Sequence, residues 1–313
     1  MTKLSIVVPV YNEEHNIKPF LNRTEKVLSK ITAEYEIIFA LDPSKDKTEE
    51  IILDEINRNK NIKLITFSRR FGQPSATIAG LHYSEGDYCV VIDVDLQDPP
   101  ELIFEMYNKL NSDDQYDVVL AKRKHRAGET FIKKTISSFG YYLINKLTDI
   151  KIPRDTGDFR IMRKKVVEEL KKLNETHGFL RGLISFIGYN QTFIEYDREK
   201  RNIGTGNYNR LFGSIKIGLN GLFSFTSKPL ILLSSLGFVF SFLSFLIGSW
   251  YVIQKIIGVN LTPGLPTIVL VVTFFSGIQL LGIGLLGEYI SRIYDEVKRR
   301  PQYIIDKKIN FKE

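Results

Sequence analysis

The sequence predicts an α/β domain on a mostly parallel sheet, followed by a two-helix membrane hairpin. Three observations carry that expectation. Over the first 100 residues, strand-like and helix-like segments alternate at a spacing that suits successive β-α-β units. An apolar, β-branched run, Val90-Val91-Ile92, opens into a dense acidic loop, Asp93-Val94-Asp95-Leu96-Gln97-Asp98, which Pro99-Pro100 closes off. Two apolar runs, 229–253 and 265–287, each exceed the ~20 residues a helix needs to cross a hydrocarbon core. Whole-chain averages hide this division: mean hydropathy is −0.08 and 25% of residues are charged. Yet between Pro229 and Gly287 the only charged side chain is Lys255.

In chain order, strand 4–10 leads to a helix over about 14–29, and strand 35–41 to a helix over 44–57 that Asp46 or Ser44 would cap. Strand 63–67 precedes a helix over 74–84, and the strand 87–93 follows. Ligands of such sheets gather at the C-terminal strand ends. The polar residues there are Tyr11, Asn12 and Glu13 after the first strand, Asp42 after the second, and Asp93 to Asp98 after the fourth. On an extended chain Asp93 and Asp95 point the same way, so both can face one cation. Hard oxygen ligands suit Mg²⁺ or Mn²⁺, above all when a substrate diphosphate completes the shell. The alternative is a solvated acidic turn.

Further along, 117–121 reads as a strand ending at Lys122-Arg123, 127–147 as a helix, and 155–160 as a turn feeding strand-like Ile161-Met162 and a helix from Lys164. Residues 208–224 place Leu211, Phe212, Ile215, Leu219, Leu222 and Phe223 at helical spacing opposite Arg210 and Lys216. That is the pattern of an interfacial amphipathic helix, or of an ordinary core-facing one. A turn at 258–264 joins the two apolar runs, so both flanks lie on one side of the membrane. Arg210, Lys216 and Lys228 before them, with Arg292, Lys298, Arg299 and Arg300 after them, make that side the cytoplasm. The expected divisions are a cytoplasmic domain (1–205), a juxtamembrane helix (206–228), the two spans (229–290) and a basic tail (291–313) that hugs the membrane or contacts other subunits.

Only Met1, Thr2 and Lys3 precede the first strand, so no cleaved leader is expected. Lone Cys89 suits a reducing compartment. The net charge of +7 is concentrated beside the spans, which fits anionic lipid rather than nucleic acid; no nucleic-acid-binding module is recognisable.

Together these segments resemble the family 2 inverting glycosyltransferases, in particular the branch that loads a sugar onto a polyprenyl phosphate. The matching pieces are Pro9-Val10-Tyr11-Asn12-Glu13, Ser44-Lys45-Asp46-Lys47-Thr48, the acidic loop through Pro99, and Ala121-Lys122-Arg123. Gly157-Asp158-Phe159-Arg160, Arg198-Glu199-Lys200-Arg201 and Gly287-Glu288-Tyr289 complete the set. The resemblance implies a GT-A, Rossmann-like fold in a bacterial inner membrane, with both termini cytoplasmic. It implies a nucleotide-diphospho-sugar donor, with UDP-glucose or a relative foremost, a polyprenyl (undecaprenyl) phosphate acceptor, and a tetramer.

By the same resemblance Pro9, Tyr11, Glu13 and Asp42 would hold the donor's base and ribose, and Asp95 with Gln97 would ligate the cation, with Asp93 at the ribose or the metal. Arg198 and Arg201 would neutralise the leaving diphosphate, or else contact lipid headgroups. Arg123, Lys133 or Lys134, and Arg181 would position the acceptor phosphate. Asp158 matches an aspartate assigned as catalytic base, although an ionised phosphate needs orienting as much as deprotonation.

Departures from the family pattern cluster at the donor pocket. Leu41 and Pro43 flank Asp42 where a polar residue and a glycine are usual; Arg70 replaces a common asparagine; Asn207 stands where a lysine is expected. A catalytically silent scaffold is therefore the rival reading. A processive synthase would need a tryptophan acceptor motif, and the only tryptophan is Trp250, inside the first span.

Overall fold

In the computed structural model, residues 3–124, 146–148, 153, 156–173, 175, 180–199, 221, 223–258 and 264–311 are described. The chain begins with β1 (Leu4–Val10), α1 (Ile17–Leu28), β2 (Tyr35–Leu41), α2 (Thr48–Arg58), β3 (Ile62–Phe67), α3 (Gln73–His82) and β4 (Tyr88–Val91). There follow α4 (Leu102–Ser112), β5 (Val118–Arg123), β6 (Thr156–Arg163), α5 (Lys164–Lys172), α6 (Leu180–Ile187) and β7 (Gln191–Tyr196). Two long helices, α7 (Lys228–Ile256) and α8 (Leu265–Val297), precede a last strand, β8 (Ile305–Ile309).

The strands form one sheet in the order β7-β5-β6-β4-β1-β2-β3-β8. β1 to β4 run parallel, β6 runs antiparallel to both β4 and β5, and β7 runs parallel to β5. Every residue of β1 is buried, as the continuous apolar run of a central parallel strand requires. Alternate residues feed opposite faces. Ile6, Val8 and Val10 pack with Phe20, Ile52 and Met106 on one, while Val7 meets Leu81, Val166 and Leu183 on the other. Helices therefore cover both faces of the sheet.

Several expectations are corrected. Residues 156–160 are strand rather than turn, because they pair on both sides: Val91 with Arg160 on β4, and Lys122 with Thr156 on β5. α4, α6 and β7 are elements that the sequence expectations do not include. The tail does not simply hug lipid: β8 caps the sheet antiparallel to β3, with Ile65 opposite Lys308. Its charged residues, Asp306, Lys307 and Lys308, are exposed, as suits an edge strand. Ahead of it, the Tyr303 ring packs edge-on against Phe67 at 5.9 Å and its hydroxyl meets His82 Nδ1 at 3.0 Å. The helix expected over 127–147 lies outside the described residues apart from helical Lys146 and Leu147, and so does most of the amphipathic segment.

α7 and α8, of 29 and 33 residues, are long and apolar enough to cross a membrane. At 1.5 Å per residue they reach about 44 and 50 Å, beyond the ~30 Å hydrocarbon core. Their apolar side chains face outward, Phe238 and Leu281 each 75% exposed, so neither is a core helix of a soluble protein. They pack at Phe240 and Phe275, whose rings are 5.4 Å apart, and where Leu233 lies over Gly282. At Gly237, Gly248, Gly277 and Gly284 an added Cβ would meet nothing within 4 Å among the described residues of this chain.

The motif Gly287-Glu288-Tyr289 works as a clasp at the hairpin's root. Tyr289 donates its hydroxyl to the Thr226 carbonyl at 2.7 Å, and Arg292 joins Ser224 at 3.1 Å and Glu288 at 3.0 Å. The neighbouring Phe225 ring lies so close to α6 that a Cβ at Gly182 would fall 2.1 Å from it. Only glycine admits that contact between the hairpin root and the sheet domain.

Two measurements follow from this packing. Tyr303→Ala removes a half-buried ring and its hydroxyl contact, and should cost about 2 kcal/mol in urea denaturation followed by far-UV circular dichroism in detergent. Burial pushes the Cys89 thiol up to about 12. At pH 8 iodoacetamide should therefore leave Cys89 unmodified in the native protein and label it only after unfolding, as mass spectrometry would record.

Candidate active site

All the candidate residues that the structure describes meet at one edge of the sheet. The C-terminal ends of β1, β2, β3 and β4 point there because the strands are parallel. β6 runs the other way, so it contributes its N-terminal end, and β5 and β7 contribute their C-terminal ends again. Tyr11, Asp42, Asp93, Arg123, Asp158 and Arg198 thus come from six strands yet share one rim.

On the β1 side the backbone is held by the segment Ser44 to Thr48. Ser44 Oγ accepts the Asn12 amide at 3.0 Å, Thr48 Oγ1 accepts the Glu13 amide at 2.9 Å, and Asn12 Oδ1 accepts the Lys45 amide at 2.9 Å. Asn12 takes a left-handed conformation, φ 52°, which asparagine tolerates. Neither expected cap sits at the N-cap of α2, which is Lys47 and makes no side-chain cap; Asp46 ahead of it accepts the Thr48 amide at 3.1 Å, while Ser44 serves the opposite loop. Pro9 is buried within β1, and the Glu13 carboxylate accepts Asn16 Nδ2 at 2.6 Å.

Asp42, only 2% exposed, accepts two backbone amides, Phe71 N and Gly72 N, each at 2.9 Å. That fixes the loop after β3, which turns at Gly72 with φ 91° before α3 begins. Gln73 then donates to Asp93 Oδ1 at 2.8 Å, and the Arg70 guanidinium lies 3.9 Å over the Tyr11 ring. Leu41 is a core residue, 1% exposed, so this departure from the family pattern turns inward.

The acidic loop is not extended. Leu96 has φ 56°, and Asp95 Oδ1 accepts the Gln97 amide at 3.1 Å, so Asp93 and Asp95 share a tight turn rather than one face of a strand. Burial, then the charges of Asp98, Asp158 and Asp95, pushes the Asp93 carboxyl up to about 8 against the pull of Arg198. Among the described residues no three carboxylate, imidazole or thiolate groups converge into a cation cage. The loop offers a crowded set of hard oxygens with unbalanced negative charge. That donor set suits a divalent cation, which Asp93, Asp95 and Gln97 would hold with outside oxygens completing the shell.

Opposite stands a cationic wall. Asp98, 1% exposed, accepts the Tyr196 hydroxyl and pairs with Arg198 Nε at 3.3 Å and Arg123 at 3.9 Å. Burial and the charge of Asp98 raise the Tyr196 phenol, which keeps it a donor. Glu199 fixes the segment bearing Arg198. Its amide donates to the Gln97 carbonyl at 3.0 Å, and Arg23 bridges its carboxylate to that of Glu101, at 2.9 and 2.6 Å.

Asp158 accepts from Arg181 Nε at 3.0 Å and pairs with Arg160 at 3.3 Å. Burial opposes its ionisation, but Arg181, Arg160 and Arg123 outweigh that and hold the carboxyl down at about 2. Such a carboxylate is a weak proton acceptor and a strong anchor for a cation. Arg160 is 1% exposed and also holds the Gly157 and Asp158 carbonyls, at 2.9 and 3.0 Å. Burial lowers its guanidinium to about 10, with Asp158 working against that.

Sequence reasoning missed Asp98 as the organiser, together with Tyr196, Gln73 and Arg160. Asp98 carried a signal, being the third acid of its loop, and Arg160 stands in the matching piece Gly157-Asp158-Phe159-Arg160; Tyr196 and Gln73 carried none that is local. Lys133, Lys134 and Arg201 lie outside the described residues.

The chain matches known proteins over nearly its whole length. The family model described as glycosyl transferase family 2 matches residues 5–171. The chain is 42% identical over 306 residues to an uncharacterized glycosyltransferase of Synechocystis sp., covering 97% of this chain and 94% of that one. It is 44% identical over 303 residues to the uncharacterized glycosyltransferase YkcC of Bacillus subtilis, covering 97% and 93%. It is 39% identical over 307 residues to a prophage-derived bactoprenol glucosyl transferase of Shigella flexneri, covering 97% and 98%.

Removing Arg160 would leave the Asp158 carboxylate and two carbonyls short of a donor. Arg160→Met should therefore destabilise the sheet domain by about 3 kcal/mol, read from urea denaturation in detergent.

Proposed function

The chain belongs to glycosyl transferase family 2 and is a glycosyltransferase, and on that premise we propose that it moves a hexose from a UDP-sugar to undecaprenyl phosphate. Glucose is the proposed sugar, the reaction inverts the anomeric centre, a divalent cation (Mg²⁺ or Mn²⁺) is required, and the site faces the cytoplasm. The observation that carries this reading is the acidic loop facing the arginine wall on one sheet edge, in a chain whose next elements are two lipid-length helices. The Shigella flexneri relative is a prophage-derived bactoprenol glucosyl transferase by name, which supports both sugar and acceptor.

The bond from the anomeric carbon to the diphosphate breaks as a bond to an acceptor phosphate oxygen forms on the opposite face. A cation at Asp93, Asp95 and Gln97 would neutralise charge building on the leaving diphosphate. Arg198, held by Asp98 and by the Glu199 anchor, lies beside the same loop and adds a fixed cationic donor. Tyr11, Glu13, Pro9 and Asp42 border the base and ribose, and Arg201, outside the described residues, is paired with Arg198 in neutralising the leaving diphosphate. Arg123 and Arg181 receive the acceptor phosphate, together with Lys133 or Lys134, which also lie outside the described residues. The acceptor arrives ionised, so Asp158, held at about 2, acts by orienting Arg181 rather than by taking a proton. The polyprenyl tail stays in the bilayer beside α7 and α8, and copies of the chain associate into a homo-oligomer.

Transfer from radiolabelled UDP-glucose to undecaprenyl phosphate, in detergent with Mn²⁺, tests this directly. EDTA should abolish the product, and Asp95→Asn should lower the rate by about 10²-fold or more. Asp158→Asn should lower it by about 10²-fold. A carboxyl held at about 2 is ionised throughout pH 5–9, so wild type and Asp158→Asn should keep the same profile shape over that range. Nucleotide binding without transfer from UDP-glucose, UDP-galactose, UDP-GlcNAc or GDP-mannose would favour the silent scaffold.

A further inference from the structure

Arg70 is a departure from the family pattern for which neither the fold nor the chemistry above has a use. Its position is set by the backbone on both sides. The Ser68 amide donates to the Ile304 carbonyl at 3.0 Å, and the Phe71 and Gly72 amides are both held by Asp42 at 2.9 Å. Between those anchors the guanidinium lies 3.9 Å over the Tyr11 ring, whereas that of Arg69 lies 4.0 Å over Phe71. The loop therefore touches three proposed donor contacts: Tyr11 through Arg70, Asp42 through two amides, and Asp93 through Gln73.

We propose that Arg70 reads the donor's nucleobase and selects a base that presents a ring carbonyl over one that presents an amino group. This rests on the reading that Tyr11 borders the base site. A stacked guanidinium keeps its plane and its N–H fork in a fixed direction, and it has donors only. Lying over the Tyr11 ring, it meets the base that enters beside that ring. Uracil offers O4 as an acceptor. Cytosine offers N4–H₂ at the same place, which sets donor against donor and leaves both unpaired. A site that hydrogen-bonds its substrate discriminates more strongly than one that merely fits it. An asparagine at this position, with both a donor and an acceptor on its amide, could serve either base by turning over.

The test is equilibrium binding of UDP and CDP, each with Mn²⁺, to the full-length protein in detergent by isothermal titration calorimetry. Wild type should favour UDP by about tenfold or more. Arg70→Asn should bring the ratio close to one, and Arg69→Asn should leave it unchanged. Arg70→Lys keeps the charge without the planar fork and should fall between. If Arg70→Asn does not fold, as judged by gel filtration, Arg70→Lys decides alone: a full wild-type ratio there would overturn the proposal. A preference that survives in Arg70→Asn, or a wild type that binds UDP and CDP equally, would also overturn it while leaving the UDP-sugar reading intact. A wild type that binds neither nucleotide would sink both.

Discussion

A buried carboxylate is tolerable only when its charge is answered, and at this sheet edge that carboxylate is Asp98. Satisfying it brings together Tyr196 at the end of β7, Arg198 two residues later and Arg123 at the end of β5. Two separate stretches of chain are thereby tied to the loop after β4. The acids ahead of Asp98 then face a wall of arginines that the same residue recruited. Replacing Asp98 by an apolar residue would remove the reason for both Arg123 and Arg198 to be where they are.

The direction of β6 matters as much as its position. Were it parallel to β4, Asp158 would sit at the far end of the sheet, away from the acidic loop. Because it is antiparallel, Gly157 and Asp158 arrive beside Arg123, and Arg160 is buried beneath them. Three arginines around one carboxylate leave Asp158 ionised and weakly basic. In the proposed reaction an acceptor that carries its own negative charge would need a cation held in place, and Arg181, fixed by Asp158, is the residue that would serve.

The hairpin is joined to the sheet domain at more than its first residue. Phe225 lies against α6, Tyr289 clasps the strand of chain that enters α7, and the segment after α8 returns to the domain as β8. The chain thus leaves the sheet domain after β7 and re-enters it beside β3. Apolar spans bracketed by two attachments hold the catalytic edge in a set relation to the helices, which a single flexible linker would not do.

Much of this was legible in the amino-acid order. Strand and helix periodicity marked β1 to β4, the span lengths marked α7 and α8, and Asp93 to Asp98 marked the business end of β4, because each is a local pattern of side-chain chemistry. What the order could not disclose depends on partners far away in the chain. Residues 156–160 look like a turn until β4 and β5 supply hydrogen bonds on both sides, and residues 305–309 look like a basic tail until β3 offers an open edge. Tyr196, Arg160 and Gln73 are unremarkable residues individually. They become part of a site only because packing brings them to Asp98, Asp158 and Asp93. Composition and periodicity act within a few residues of chain, whereas the answering of a buried charge acts through space, so the tertiary structure alone decided which residues met.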